Sequence, residues 1–186
     1  MLEPTELLYA YAQGYFPMAI PEENNEIFWF KPDKRGIIPL DKFHVSKNLR
    51  RLFNRHYFEL KINGDFEGTI RACASREDTW ISDDIIKSYS KLYDLGYAYS
   101  FETWREGRLV GGLYGVAIGK VFFGESMFHK ETDASKIALI FLVEFMKENN
   151  FLLLDTQYIN DHLLQFGAEE ISNEAYEKLL GKALES

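Results

Sequence analysis

The chain has 186 residues, 46% of them hydrophobic and 16% aromatic, so it can bury a sizeable core and lacks the composition of a disordered protein. Its single cysteine excludes an intrachain disulfide and a multi-thiolate zinc site. The first residues carry no signal-peptide pattern and no apolar run approaches a membrane span, so we expect a soluble, cytoplasmic protein.

The formal net charge is −8, but the charge is unevenly distributed along the chain. Between Lys31 and His56 there are eight basic and two acidic residues, so this window has a charge of +6 and the rest of the chain −14. A local positive stripe can dock phosphate groups while the acidic remainder repels them. The alternative is a solvated loop and helix without a partner.

The N-terminal part is predicted to form mostly short elements. In chain order these are a helix over 4–14, a turn over 14–17, a loop over 21–39 and a basic helix over 46–55 capped by Ser46. We assign residues 1–56 to a small N-terminal domain that carries the basic stripe.

The rest of the chain reads as a mixed α+β domain over 57–186. Strands are predicted at 57–62, 98–104, 109–117, 120–128 and 152–157, and helices at 65–74, 82–95, 133–148, 160–165 and 173–184. A three-stranded meander followed by a βα crossover gives a mixed sheet with helices on both faces. This order matches the fold of the acyl-CoA N-acyltransferases (the GNAT-like fold), which suggests acyl transfer to an amine where the meander meets the next parallel strand.

A first candidate for chemistry is the carboxylate of Asp155, at the end of a buried strand. A carboxylate there is costly unless it is hydrogen-bonded, and strand alternation places Gln157 on the same face. Asp155 could orient Gln157 or polarise an attacking amine. The structural alternatives are that Asp155 caps the next helix or forms an ion pair.

A second candidate is Glu125, which is surrounded in sequence by aromatic and thioether side chains. Such a site suits an ammonium group attached to an apolar side chain. Phe122, Glu125 and Met127 can line one pocket only if the strand bulges near Gly124. The alternative is a surface glutamate on an edge strand.

The remaining motifs concern the glycines of one strand and the absence of cofactor-binding and metal-binding sequences. Glycines at 111, 112 and 115 indicate close backbone approach or a bend in their strand. The chain has no nucleotide-binding loop, no nucleophile elbow and no histidine pair with metal-ligand spacing, so we expect no cofactor and no metal; His162 is expected on a helix surface. No glycine-rich loop precedes the helix at 133, which argues against coenzyme A.

These residues resemble those of the leucyl/phenylalanyl-tRNA–protein transferases from about residue 11 to residue 180. The most specific landmarks are Phe123-Gly124-Glu125-Ser126-Met127-Phe128 and Asp155-Thr156-Gln157. Further landmarks lie at 14–17, 29–35, 43–46, 79–81, 102–104, 111–116 and 133–136. The chain departs from the usual family pattern at Phe30-Lys31 and Thr156, and its N-terminal domain is expected to be reduced.

The resemblance implies transfer of leucine or phenylalanine, and methionine less well, from aminoacyl-tRNA to proteins that begin with Arg or Lys, which marks them for degradation by the N-degron route. It implies Asp155 and Gln157 as the catalytic pair, with Glu125 in the substrate pocket, and we count Glu125 with them as the third catalytic residue. The implied substrate-binding residues are Trp80, Leu113, Phe122, Met127, Leu154 and Asn160, to which we add Trp29 and Phe30. The expected tRNA-binding residues are Lys47, Arg50, Arg51 and Arg55.

Two other functions stay open at this point. A coenzyme A-dependent N-acetyltransferase would bind acetyl-CoA, and a non-catalytic tRNA-binding module would bind tRNA without transferring an amino acid. For the transferase, we expect a monomer that has no membrane partner.

Overall fold

The structure is a computed structural model that describes residues 1–75 and 79–186. The chain begins with helix α1 (Pro4–Ala12) and an antiparallel hairpin of strands β1 (Phe16–Ile20) and β2 (Glu26–Phe30). Strand β3 (Lys34–Ile38) and helix α2 (Lys47–Asn54) follow. The later elements are β4 (Glu59–Ile62), α3 (Phe66–Ala74), α4 (Asp83–Asp94), β5 (Ala98–Arg105), β6 (Arg108–Ile118), β7 (Val121–His129), α5 (Ala134–Glu148), β8 (Leu153–Gln157), α6 (Asp161–Leu164), β9 (Glu169–Ser172) and α7 (Asn173–Glu185).

The main sheet has seven strands in the order β4-β5-β6-β7-β8-β3-β9. Strands β5 to β7 form an antiparallel meander, and β4 pairs antiparallel with β5 at its edge. Helix α5 carries the chain to β8, which lies parallel to β7. Strands β3 and β9 extend the sheet in antiparallel fashion beyond β8. The predicted mixed α+β sheet is therefore confirmed, and a strand from the segment 1–56 lies inside it.

Helices cover both faces of this sheet, and each face has its own apolar layer. Helices α1, α3, α4 and α7 contribute to one layer, which contains Leu7, Ile70, Ile85 and Leu180. Helices α2, α5 and α6 contribute to the other, together with alternate residues of the same strands. Helix α5 has buried side chains nearly all round, which explains why its sequence is so strongly apolar.

The predicted loop over 21–39 is wrong, because it contains β2 and β3. The segment Lys34–Ile38 does not alternate, since four of its five residues are buried between β8 and β9. Its pairing with strands more than 100 residues away supplies the strand conformation that local sequence did not indicate. The unpredicted strand β9 has the same explanation, because it pairs with β3. The predicted turn over 14–17 is present at Gly14, but the strand β1 begins at Phe16 and pairs locally with β2.

Two of the three predicted helix caps, Ser46 and Ser82, are confirmed, and the third, Asp133, is wrong. Ser46 and Ser82 accept hydrogen bonds from backbone N–H groups three residues on, as expected. Asp133 precedes α5 but accepts no helix N–H; it lies at φ 67° and forms an ion pair with Lys136 at 3.5 Å instead. Among the residues described, no helix is long and apolar enough to cross a bilayer.

Candidate active site

A bulge in β7 turns Glu125 out of the regular strand pairing. Met127 pairs with Leu113 and Ser126 with Tyr114, but the next partner of Gly115 is Gly124, so Glu125 is one residue too many. A Cβ on Gly115 would lie 2.2 Å from the carbonyl oxygen of Phe123, so only glycine allows the strands to come this close. The bulge that a pocket shared by Phe122, Glu125 and Met127 would require is present, and Glu125 lies on a central strand, not on an edge strand.

The bulge lies where β7 and β8 separate. The two strands pair only from Val121 to Phe123 and from Leu153 to Asp155, and beyond these residues a cavity of about 530 Å³ opens between them and helices α5 and α6. This volume lies in the range typical of small-ligand sites. Its apolar walls are formed by Met18, Trp80, Leu113, Met127, Leu139, Leu142, Leu154 and Leu163, and polar side chains such as Ser126, Ser135 and Asn160 line the rest.

Glu125 is the one carboxylate among the described residues that line this cavity. The hydroxyl of Tyr11 donates to Oε1 of Glu125 and is itself hydrogen-bonded to the hydroxyl of Tyr89. The amide Nε2 of Gln157 donates to the other oxygen at 3.1 Å. Burial raises the pKa of Glu125 to about 7, although the hydrogen bonds from Tyr11 and Gln157 lower it. The group can therefore change charge near neutral pH and would bind a cation in its ionised form.

Asp155 lies behind the cavity wall and has no exposed surface. Arg35 donates to both of its oxygens, from Nε at 3.0 Å and from Nη2 at 2.7 Å, and the Tyr176 hydroxyl donates at 2.6 Å. Burial lowers the pKa of Arg35, but the charge and hydrogen bonds of Asp155, together with Tyr176 and Glu125, raise it above its usual value, so Arg35 and Asp155 form a charged pair. Asp155 is thus ion-paired, and its fourth hydrogen bond comes from the backbone N–H of Gln157 at 2.7 Å.

Gln157 connects these two groups. Its backbone is held by Asp155 at a φ of 65°, and its side chain reaches Glu125 through Nε2. No described residue donates to its Oε1, so this oxygen can accept a hydrogen bond from a ligand in the cavity. The polar end of the cavity therefore offers one carboxylate and one amide oxygen next to each other.

A family model described as leucyl/phenylalanyl-tRNA protein transferase matches residues 37–181. The chain belongs to this family. A second model, for the N-terminal domain of the leucyl/phenylalanyl-tRNA protein transferases, matches residues 1–33.

Similar proteins span nearly the whole chain. The leucyl/phenylalanyl-tRNA–protein transferase of Paramagnetospirillum magneticum is 50% identical over 182 residues, which is 96% of this chain and 87% of that protein. The one from Herpetosiphon aurantiacus is 50% identical over 185 residues, 99% of this chain and 95% of that protein. The solved structure of FemX covers 94% of this chain and 70% of its own with a TM-score of 0.59 at 11% identity, a likeness of fold alone. The predicted GNAT-like order, an antiparallel meander followed by a βα crossover to a parallel strand, is confirmed.

The structure brings most of the residues implied by the family resemblance into one place. Glu125 and Gln157 line the cavity together with Trp80, Leu113, Met127, Leu154 and Asn160. Phe122 does not line it; the ring is 1% exposed and packs edge-on against Phe101 beneath the cavity. Trp29 and Phe30 lie on β2 and pack on the apolar layer of α1 and α4, away from the lining.

Sequence reasoning missed several residues that build the site. Arg35 was assigned to the surface stripe, yet it is fully buried against Asp155. The expected surface residue His162 is half-buried and lines the cavity. Tyr11, Tyr89 and Tyr176 lie on three different helices, so no local pattern connects them to the carboxylates. The one available signal was physical, because a fully buried aspartate requires a cation or several donors.

The basic residues expected to bind tRNA lie together on α2 and at Arg55, the residue that follows it. Lys47, Arg50, Arg51 and Arg55 line one shallow groove on the surface, and Arg50 is partly neutralised by Glu144 of α5 at 3.2 Å. Lys31 instead pairs with Glu177 at 2.6 Å. Of the eight basic residues in the stripe, Arg35 is buried and Lys31 is ion-paired, whereas Lys34 and Lys42 are exposed outside the α2 groove. The described residues contain no group of three or more side chains suited to a metal ion.

Proposed function

We propose that this chain transfers leucine or phenylalanine, and methionine less well, from aminoacyl-tRNA to the N-terminal Arg or Lys of acceptor proteins, which creates an N-degron. The observation that carries the proposal is an apolar cavity whose polar end pairs the carboxylate of Glu125 with the free amide oxygen of Gln157. Membership of the leucyl/phenylalanyl-tRNA–protein transferase family supports the same reaction.

The donor amino acid fits this cavity in one orientation. Its side chain packs against the leucine and methionine walls and Trp80, while its α-ammonium group meets Glu125. An apolar pocket separates substrates by only about 1–3 kcal/mol per methylene group. Such a pocket suits an enzyme that accepts both leucine and phenylalanine.

The chemistry needs little more than positioning, because the ester of aminoacyl-tRNA is already an activated acyl donor. The neutral α-amine of the acceptor attacks the ester carbonyl, a C–N bond forms, and the ester C–O bond breaks. Gln157 Oε1 accepts a hydrogen bond from the attacking amine, whose proton leaves with the terminal ribose oxygen of the tRNA. Holding the two reactants in attack geometry can supply up to ~7–11 kcal/mol in favourable cases. Asp155 acts through Gln157 and does not touch the substrates.

The tRNA itself is held outside the cavity. The four basic residues of the α2 groove contact backbone phosphates, which gives affinity without sequence preference. Asn160, at the start of α6 and in the cavity lining, lies near the terminal adenosine. We place the reaction in the cytoplasm and the protein in solution as a monomer.

A coenzyme A-dependent acetyltransferase fits these residues less well. An anion at the start of α5 would meet the carboxylate of Asp133, and residues 129–133 contain no glycine to form a phosphate cradle. Calorimetry with acetyl-CoA should therefore show no binding.

The proposal is tested by incubating the protein with radiolabelled Leu-tRNA or Phe-tRNA and peptides that begin with Arg, Lys, Asp or Ala. We expect label on the Arg and Lys peptides only, and loss of most transfer in Gln157→Ala with tRNA binding retained. Gln13→Ala, at an exposed helix end, is the matched control. If the protein binds tRNA but transfers label to no peptide, the transferase proposal is wrong and the protein is a non-catalytic tRNA-binding module.

A further inference from the structure

We propose that Arg35 and Tyr176 are positioning residues for the transfer reaction, acting on Gln157 through Asp155. The inference rests on the proposed function and assigns a role to two residues outside the cavity. Arg35 belongs to β3 and Tyr176 to α7. We call these two residues the clamp, because both hold Asp155 on β8, the strand that ends in the site.

Asp155 has no capacity left for a substrate. An ionised carboxylate offers about four acceptor positions, and here two donors reach each oxygen. Three of these four donors come from Arg35 and Tyr176, and the fourth is the backbone N–H of Gln157. Arg35 and Tyr176 therefore fix the position of the Asp155 carboxylate, and the carboxylate fixes the backbone of Gln157 through its fourth hydrogen bond.

The clamp is itself fixed on every side. The third donor of Arg35, Nη1, reaches the carbonyl oxygen of Gly14 at 2.6 Å. Its guanidinium lies between the rings of Phe16 and Tyr176, 4.9 and 4.3 Å from their centroids. A planar group held by three hydrogen bonds and two rings cannot turn without breaking several contacts, and lysine would not reproduce this geometry.

The backbone of Gln157 needs such support. A non-glycine residue at φ 65° is uncommon and persists only where the surroundings determine it. On the opposite strand, Gly36 pairs with Gln157, and a Cβ there would lie 2.6 Å from the carbonyl carbon of Tyr158. The local backbone is therefore tightly fitted, and the hydrogen bond to Asp155 holds the Gln157 amide group toward Glu125. The Tyr176 hydroxyl stays a donor, because burial and the Asp155 carboxylate raise its pKa above the usual range.

The test is a double-mutant cycle between Tyr176→Phe and Gln157→Ala, measured as transfer from Phe-tRNA to an Arg peptide. Tyr176→Phe removes one hydroxyl and keeps the ring over Arg35. We expect kcat to fall about tenfold, the value of one hydrogen bond to a charged group, with donor KM unchanged. In the Gln157→Ala background the same substitution should change nothing, because the side chain that it positions is gone. Tyr93→Phe, whose ring stacks on Phe66 away from the clamp, is the control.

Two further measurements test the positioning role independently of the double-mutant cycle. Arg35→Lys should lower kcat in the same way, and hydrogen exchange at the Gln157 amide should be faster in Tyr176→Phe than in the unmodified protein. Full kcat in Tyr176→Phe, or an equal loss in both backgrounds, would overturn the positioning role. Failure of the unmodified protein to transfer would instead overturn the proposed function, and the exchange measurement would still decide whether the clamp holds Gln157.

Discussion

Replacing Glu125 with glutamine should stabilise the fold at neutral pH while it weakens donor binding. In the unfolded chain this carboxyl loses its proton near pH 4.5, whereas burial raises its pKa in the folded protein to about 7. Between these values the folded state binds the proton more tightly, so the contribution of Glu125 to stability falls as pH rises. The difference between the two pKa values corresponds to at most about 3 kcal/mol in the free energy of unfolding, and this contribution is fully lost above pH 7. Glutamine carries no charge and escapes this cost.

The assay is urea unfolding followed by tryptophan fluorescence at several pH values from 5 to 8. The informative quantity is the free energy of unfolding of Glu125→Gln minus that of the unmodified protein, because the other titrating groups cancel. We expect this difference to grow with pH by up to about 3 kcal/mol and then to level off. Glu22→Gln, at an exposed position, controls for the substitution itself. A difference that does not change with pH would refute the assignment of Glu125 as a buried carboxyl that is costly to ionise.

Three further outcomes follow from the same structure. Donor KM should fall as pH rises toward about 7, because ionised Glu125 binds the donor ammonium, and Glu125→Gln should flatten this limb of the pH profile. Charge reversal at Arg50 and Arg51 should weaken tRNA binding and reduce its salt dependence by roughly one unit of log–log slope per lost phosphate contact, measured by filter binding at several salt concentrations. Gly36→Ala should cost about 1–3 kcal/mol in thermal unfolding and reduce transfer, because its Cβ meets backbone atoms.

Each of these three predictions has a control variant or a result that would contradict it. Lys87→Glu, on an exposed face of α4, should leave the salt slope of tRNA binding unchanged, and an equal effect there would point to net charge instead of the α2 groove. Gly181→Ala lies in open space within α7 and should stabilise by about 0.5–1 kcal/mol. A pH profile of donor KM that Glu125→Gln leaves intact would remove the carboxylate from donor binding.

The sequence indicated the catalytic half of the fold because its signals there are local. The meander over Ala98–His129 has short turns and regular strands, and α5 and β8 have apolar runs whose lengths distinguish helix from strand. The sequence indicated the bulge at Glu125 only as a condition for a pocket shared by Phe122, Glu125 and Met127, and Phe122 lies outside the cavity.

The parts that sequence did not indicate depend on contacts between distant residues. Strand β3 is buried on both faces, and its partner β8 lies more than 100 residues later, so its local pattern resembles neither an alternating strand nor a helix. Arg35 resembles the other basic residues of its window until the fold places it against Asp155. The same applies to Tyr11, whose hydroxyl donates to Glu125, and to Tyr89, whose hydroxyl is bonded to that of Tyr11, because α1 and α4 pack on the same face of the sheet.

The most direct test of the cavity is to compare the affinities of the protein for Phe-tRNA and for the same tRNA without its amino acid. If the cavity holds the esterified side chain, the charged tRNA binds more tightly, by roughly 10- to 150-fold for burial of a phenylalanine side chain. Met127→Trp, which fills the cavity from β7, should erase this difference and abolish transfer while it leaves the affinity for uncharged tRNA unchanged. Equal affinities in the unmodified protein, or a difference that survives Met127→Trp, would contradict the assignment of this cavity as the donor site.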